Sequence, residues 1–107
     1  MGLEEVIQAV DELLAVRDSV REDAIRISRD VVRLSKQVIT LVLKGDVDGA
    51  LSAAREMEVK VKDIVARVSG FPDIYYSGLI YNALSEYVEA SLLLDVILKR
   101  ELRGFKD

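Results

Sequence analysis

A seam of apolar residues in the first two-fifths of the chain limits its fold more than any other feature. Leu3, Val6, Val10, Leu13, Val20, Ala24, Ile27, Val31, Leu34, Val38 and Leu41 recur at helical spacing, and only Arg17 interrupts them. Steps of three and four keep side chains on one side of an α-helix, whereas a half-buried strand requires strict alternation. Residues 3 to 44 can therefore form one helix of roughly 60 Å at about 1.5 Å per residue. A kink or break is most expected at Arg17-Asp18-Ser19, because Asp18 or Ser19 could cap a second helix.

Lys44-Gly45-Asp46 ends that element with a cation, a glycine suited to the left-handed region and a capping aspartate. The same spacing returns in Val47, Ala50, Ala54, Met57, Val61, Ile64 and Val68, which predicts a helix over 47–68. Ser69-Gly70-Phe71-Pro72-Asp73 is a stop and restart, with Asp73 as the expected N-cap of a last helix over about 74–103. No segment alternates with period two. The expected fold is all-α: a single domain built as a bundle of long antiparallel helices, with no sheet.

Composition removes several kinds of chemistry. The 107 residues include no cysteine and no histidine, which excludes disulfides, the usual zinc sites and nucleophiles paired with an imidazole base. Catalysis would have to run on carboxylates, Lys, Ser or Tyr, with a hard metal ion as the natural addition. The net charge of −4 means that a nucleic-acid partner would need a local basic stripe. Glu, Lys and Arg are plentiful while Asn, Gln and Cys are scarce, a balance found in thermophile proteins. The acidic start MGLEEVIQAV is unlike a secretory signal, and no apolar run is long enough to span a bilayer. A cytoplasmic protein without a membrane partner is expected.

The last predicted helix raises the functional question. Residues 87–98 are apolar on nearly every side, Glu89, Ser91 and Asp95 being the exceptions. Such a helix must be covered all round, which implies further helices or other subunits, so a homo-oligomer is expected. Glu86 and Glu89 lie beside the seam Ala83, Tyr87, Ala90 and Leu94, with their Cβ atoms about 5–6 Å apart. Other acids have a base four positions on: Glu22 has Arg26, Glu56 has Lys60, Glu58 has Lys62 and Asp63 has Arg67. Glu86 and Glu89 have none at three or four positions in either direction. A divalent cation would supply the missing counter-charge; alternatively both carboxylates face water or meet an arginine from another helix.

The stretch FPDIYYSGLIYNALSEYVEASLLLDVILKREL resembles the translin superfamily, and within it the branch of translin-associated factor X. That branch carries an EYVEA-like motif on a long helix, matched here by Glu86-Tyr87-Val88-Glu89-Ala90. The segment RDSVREDAIRISRDVVRLSKQVITLV, residues 17–42, is similar to the family's first long helices. The resemblance is to the N-terminal half of such proteins. It implies a magnesium-dependent (or manganese-dependent) endoribonuclease site with Glu86 and Glu89 as catalytic metal ligands, and RNA as partner. The family's third acidic ligand lies in a C-terminal half with no counterpart in this sequence, so the site would be incomplete here. Translin itself has a basic cluster after its paired aromatics. Tyr75-Tyr76 is followed instead by SGLIYNAL, which favours the catalytic branch.

Two further features could contact RNA. Arg26, Arg29, Arg33 and Lys36 recur at steps of three, four and three, which aligns four cations able to follow a phosphate backbone. Glu22 and Asp30 lie close enough to pair with some of them, and a solvated charged face is the plainer reading. Tyr75, Tyr76, Tyr81 and Tyr87 could stack on single-stranded bases or pack in a core. Two functions remain open: an RNA-binding endoribonuclease subunit, or a self-associating helical scaffold without catalysis.

Overall fold

The computed structural model describes residues 2–104, apart from the side chains of 101–104. Four helices follow in order: α1 (Leu3–Leu43), α2 (Val47–Val68), the single turn α3 (Pro72–Tyr75) and α4 (Gly78–Gly104). Among the described residues there is no strand. The fold is the all-α bundle expected.

The first helix is unbroken through Arg17-Asp18-Ser19, where a kink was most expected. No Gly or Pro lies between positions 3 and 44, Arg17 is a good helix former, and Asp18 and Ser19 cost too little to stop a helix. Arg17 instead pairs with Asp73. At the far end the chain reverses through a Schellman turn. The Gly45 amide donates to Val42 (3.0 Å) and the Asp46 amide to Leu41 (2.9 Å). Gly45 has φ +80°, a conformation that side chains with a Cβ rarely adopt. The Asp46 carboxylate then caps α2 by accepting from the Gly49 amide at 2.9 Å.

The restart differs from the expected single helix over 74–103. Phe71 holds the N-cap position of α3, Pro72 opens it, and Asp73 lies in its first turn. The turn closes on itself, with the Tyr76 amide donating to Pro72 and the Ser77 amide to Ile74. Ser77-Gly78 has little drive to carry the helix through. The long helix therefore begins again at Gly78.

Cross-contacts set the register. Asp23 meets Arg67 at 2.8 Å and Asp30 meets Lys60 at 3.3 Å, so α2 runs antiparallel to α1. Ser28 shares a groove with Leu79 and Ser35 bonds Glu86, so α4 runs parallel to α1. Ile27, Val31, Leu34 and Val38 are buried against Met57 and Ile64 of α2 and against Ile80, Ala83 and Ala90 of α4. Each large aliphatic side chain fully removed from water contributes on the order of 1.5–3 kcal/mol. Helix α1 is thus the central element, with α2 and α4 on either flank and little contact between them.

That register leaves much of α1 uncovered. Residues 3–19 are exposed throughout and form an arm that projects from the bundle. The molecule measures 77 × 18 × 17 Å with a radius of gyration of 19.2 Å. A compact domain of this size would have about 13 Å. On α4 the face opposite the core is also apolar: Tyr81, Val88, Leu92 and Val96 are all at least half exposed. The expectation that this helix is apolar on more than one face holds in the structure.

Candidate functional site

The parallel pairing of α1 with α4 creates a groove along their shared flank. It has a volume of about 510 Å³ and is lined by Ser28, Arg29, Val32, Arg33 and Lys36 of α1, with Leu79 and Asn82 of α4. Val32 and Leu79 supply apolar surface, while three cations and the Asn82 amide supply polar contacts. Arg29 and Lys36 make no ion pair with the described residues, and the closest carboxylate to Arg33 is Asp30 at 3.8 Å. The groove is therefore positive inside a chain of net charge −4.

Of the four cations predicted to form a stripe, three meet in this groove and one does not. Arg26 bonds Asp23 at 3.0 Å, in place of the Glu22 that sequence spacing offered. That bond, with the nearby Arg67 charge, holds the Asp23 carboxyl below the usual carboxylate range against a smaller opposing effect of burial. Arg67 is raised in turn, first by its bond to Asp63 and then by Asp23. Lys60 likewise reaches Asp30 across the helix pair rather than being held by Glu56. The i,i+4 pair Glu58–Lys62 forms as spaced, at 3.2 Å.

Two buried serines add something that helical periodicity concealed. Ser28 lines the groove but is only 2% exposed, and its buried hydroxyl has no hydrogen-bond partner among the described residues. The Ser77 hydroxyl is also buried and unpartnered, and it lines the adjoining hollow with Arg21, Ile25 and Leu79. A polar atom buried without a partner costs on the order of 1–3 kcal/mol, so each hydroxyl lowers the stability of the helix packing beside its hollow. In the sequence the only signal was a serine on the flank of an apolar seam.

The paired glutamates are positioned from the same interface. Ser35 is fully buried, and its hydroxyl donates to the Glu86 backbone carbonyl at 2.9 Å, with the Glu86 carboxylate at 3.4 Å. Glu86 is half-buried at the α1 contact, one turn beyond Asn82. Glu89 is exposed and lines a shallow depression with Tyr81, Leu84, Ser85 and Val88. Glu86 thus lies beside α1, with Glu89 about one turn further along α4. Among the described residues no group of three or more potential ligands forms. Two carboxylates suit magnesium, which commonly takes one or two along with waters and substrate phosphate. They constitute part of a ligand set rather than a whole one.

The tyrosines divide into two kinds. Tyr75 and Tyr87 are partly buried against the core, whereas Tyr76 and Tyr81 are largely exposed. Tyr75 and Tyr76 meet edge to face with centroids 4.9 Å apart. Among the described residues no helix is long and apolar enough to cross a membrane. No family model matches this chain, and comparisons with curated proteins and with solved structures gave no match.

Proposed function

We propose that this chain is an RNA-binding subunit of the translin and translin-associated factor X type, belonging to a magnesium-dependent endoribonuclease that assembles from several copies. The observation that carries the reading is the α1–α4 groove, where Arg29, Arg33 and Lys36 meet Asn82, itself one turn from Glu86. Cations on one rim bind phosphate oxygens, and the Asn82 amide bonds sugar or base edges. The apolar floor of Val32 and Leu79 accepts a base face, and exposed Tyr81 offers a further stacking surface.

Glu86 and Glu89 would hold the magnesium ion, whose chemistry is to lower the pKa of a bound water and to offset phosphate charge. Ser35 fixes the Glu86 turn against α1 and so sets the distance between the carboxylate and the cationic rim. With two acids the ion is held weakly, and a third ligand must come from outside these residues. The test is calorimetry with magnesium and manganese on the protein and on Glu86→Gln/Glu89→Gln. Binding lost in the double variant supports the site; equal binding in both rejects it.

The second reading, a self-associating scaffold without catalysis, is favoured by the bare arm of α1 and the apolar outer face of α4. A chain that self-associates yet binds neither metal nor RNA would be that scaffold.

A further inference from the structure

The register of α1 against α4 gives one cation of the groove a different neighbourhood from the others. Ser35 and Glu86 stand opposite each other, the serine hydroxyl lying 2.9 Å from the Glu86 carbonyl and 3.4 Å from its carboxylate. Lys36 follows Ser35 directly and lines the groove with Asn82. Asn82 and Glu86 are four positions apart on α4, so they stack on one flank of that helix. Lys36 therefore stands between the two in register. Arg33 and Arg29 lie about one and two turns back along α1.

Charge makes that placement informative. Glu86 and Glu89 have no base three or four positions away on their own helix. Helix α1 brings Lys36 alongside on a flexible four-carbon stem, yet Lys36 pairs with no carboxylate among the described residues. A lysine that served only to neutralise these acids would meet one of them directly. Here the ammonium stays available to an anion and the carboxylates to a cation, which is what a phosphate and its divalent counter-ion require.

We propose that Lys36 holds the phosphate diester to be cleaved, joining the cationic groove to the Glu86 and Glu89 site. The inference rests on the nuclease reading above and adds to it a protein group that touches the reacting phosphate. Arg29 and Arg33 grip the strand further along, and Lys36 faces the phosphate nearest the carboxylates. Hydrolysis adds water across one phosphorus–oxygen bond, hydroxide to phosphorus and a proton to the leaving oxygen. A fixed ammonium offsets the charge that develops on the phosphate and keeps its own proton throughout.

Calorimetry with manganese and magnesium, with and without a saturating single-stranded RNA, tests the assignment on Lys36→Met and Arg29→Met. Both positions are exposed, so both variants should keep the fold. Each variant loses one positive charge, but only Lys36 stands beside the glutamates. In dilute buffer Lys36→Met should bind either ion about fivefold more tightly, the repulsion expected across about 8 Å of water-like dielectric. Arg29→Met, two turns away, should gain about twofold or less. RNA should then tighten manganese binding several-fold in the wild-type protein and in Arg29→Met, because a positioned phosphate supplies a further ligand. Lys36→Met should lose most of that gain. A Lys36→Met protein that matches Arg29→Met without RNA, or keeps the full gain with it, would overturn the inference and leave the reading of the site standing. Wild-type protein that binds neither ion, or no RNA, would overturn that reading and the inference with it.

Discussion

The two halves of α1 carry one apolar pattern and have opposite surroundings. From Ala24 to Val42 the seam is buried by α2 and α4, and the flank beyond it bears the cations of the groove. From Leu3 to Val16 the seam is bare and its polar residues are acidic. Periodicity reports which side of a helix is meant to be covered; it does not report what covers it. The halves also differ in charge: the packed half bears a basic flank that suits phosphate, and the outer part of the arm is acidic.

The largest contrast concerns stability. Ile27→Ala removes a buried side chain between three helices and should cost about 2–5 kcal/mol in urea unfolding. Leu13→Ala, read in dilute monomeric protein, should change stability by no more than about 0.5 kcal/mol. Similar losses at both sites would mean that the arm is packed within one chain. Next in size is hydrogen exchange. Amides of residues 3–16 should exchange quickly, while those of 27–38 stay protected. Protection of the arm equal to that of residues 27–38 would break the comparison.

A smaller effect is expected where the halves meet. Because Arg26 and Arg67 depress the Asp23 pKa in the folded state, this carboxylate contributes stability above its unfolded pKa. The contribution is lost as pH falls through the lower folded value. Asp23→Asn should therefore lower stability slightly at neutral pH, leave it unchanged in acid, and so flatten the acid limb of the stability profile. An unchanged acid limb would show that the Asp23–Arg26–Arg67 cluster is not maintained in solution.

Most of the fold was legible in the sequence because local chemistry set it. Apolar spacing marked α1 and α2, Gly45 marked the reversal, and Asp46 marked the cap that follows. Asp73 reads as a cap in the sequence but lies inside the first turn of α3, which Pro72 opens after Phe71, and its partner Arg17 is 56 positions away. The same limit applied to the site. Arg29, Arg33 and Lys36 could be aligned by spacing, but that Asp23 takes Arg26 depends on Arg67 of another helix. Ser28, Ser77, Leu79 and Asn82 had no signal of their own, because a groove between helices exists only once their register is set.

The central functional claim is that the α1–α4 groove binds the RNA backbone. The most direct measurement is fluorescence anisotropy with labelled single-stranded RNA across a salt series, on the protein and on Arg29→Ala/Arg33→Ala/Lys36→Ala. The account predicts wild-type affinity that falls steeply with salt, and a variant that binds more weakly with a log–log slope shallower by about 2, as for three lost phosphate contacts. Affinity and slope unchanged by the triple substitution, or no RNA binding by the wild-type protein, would contradict it.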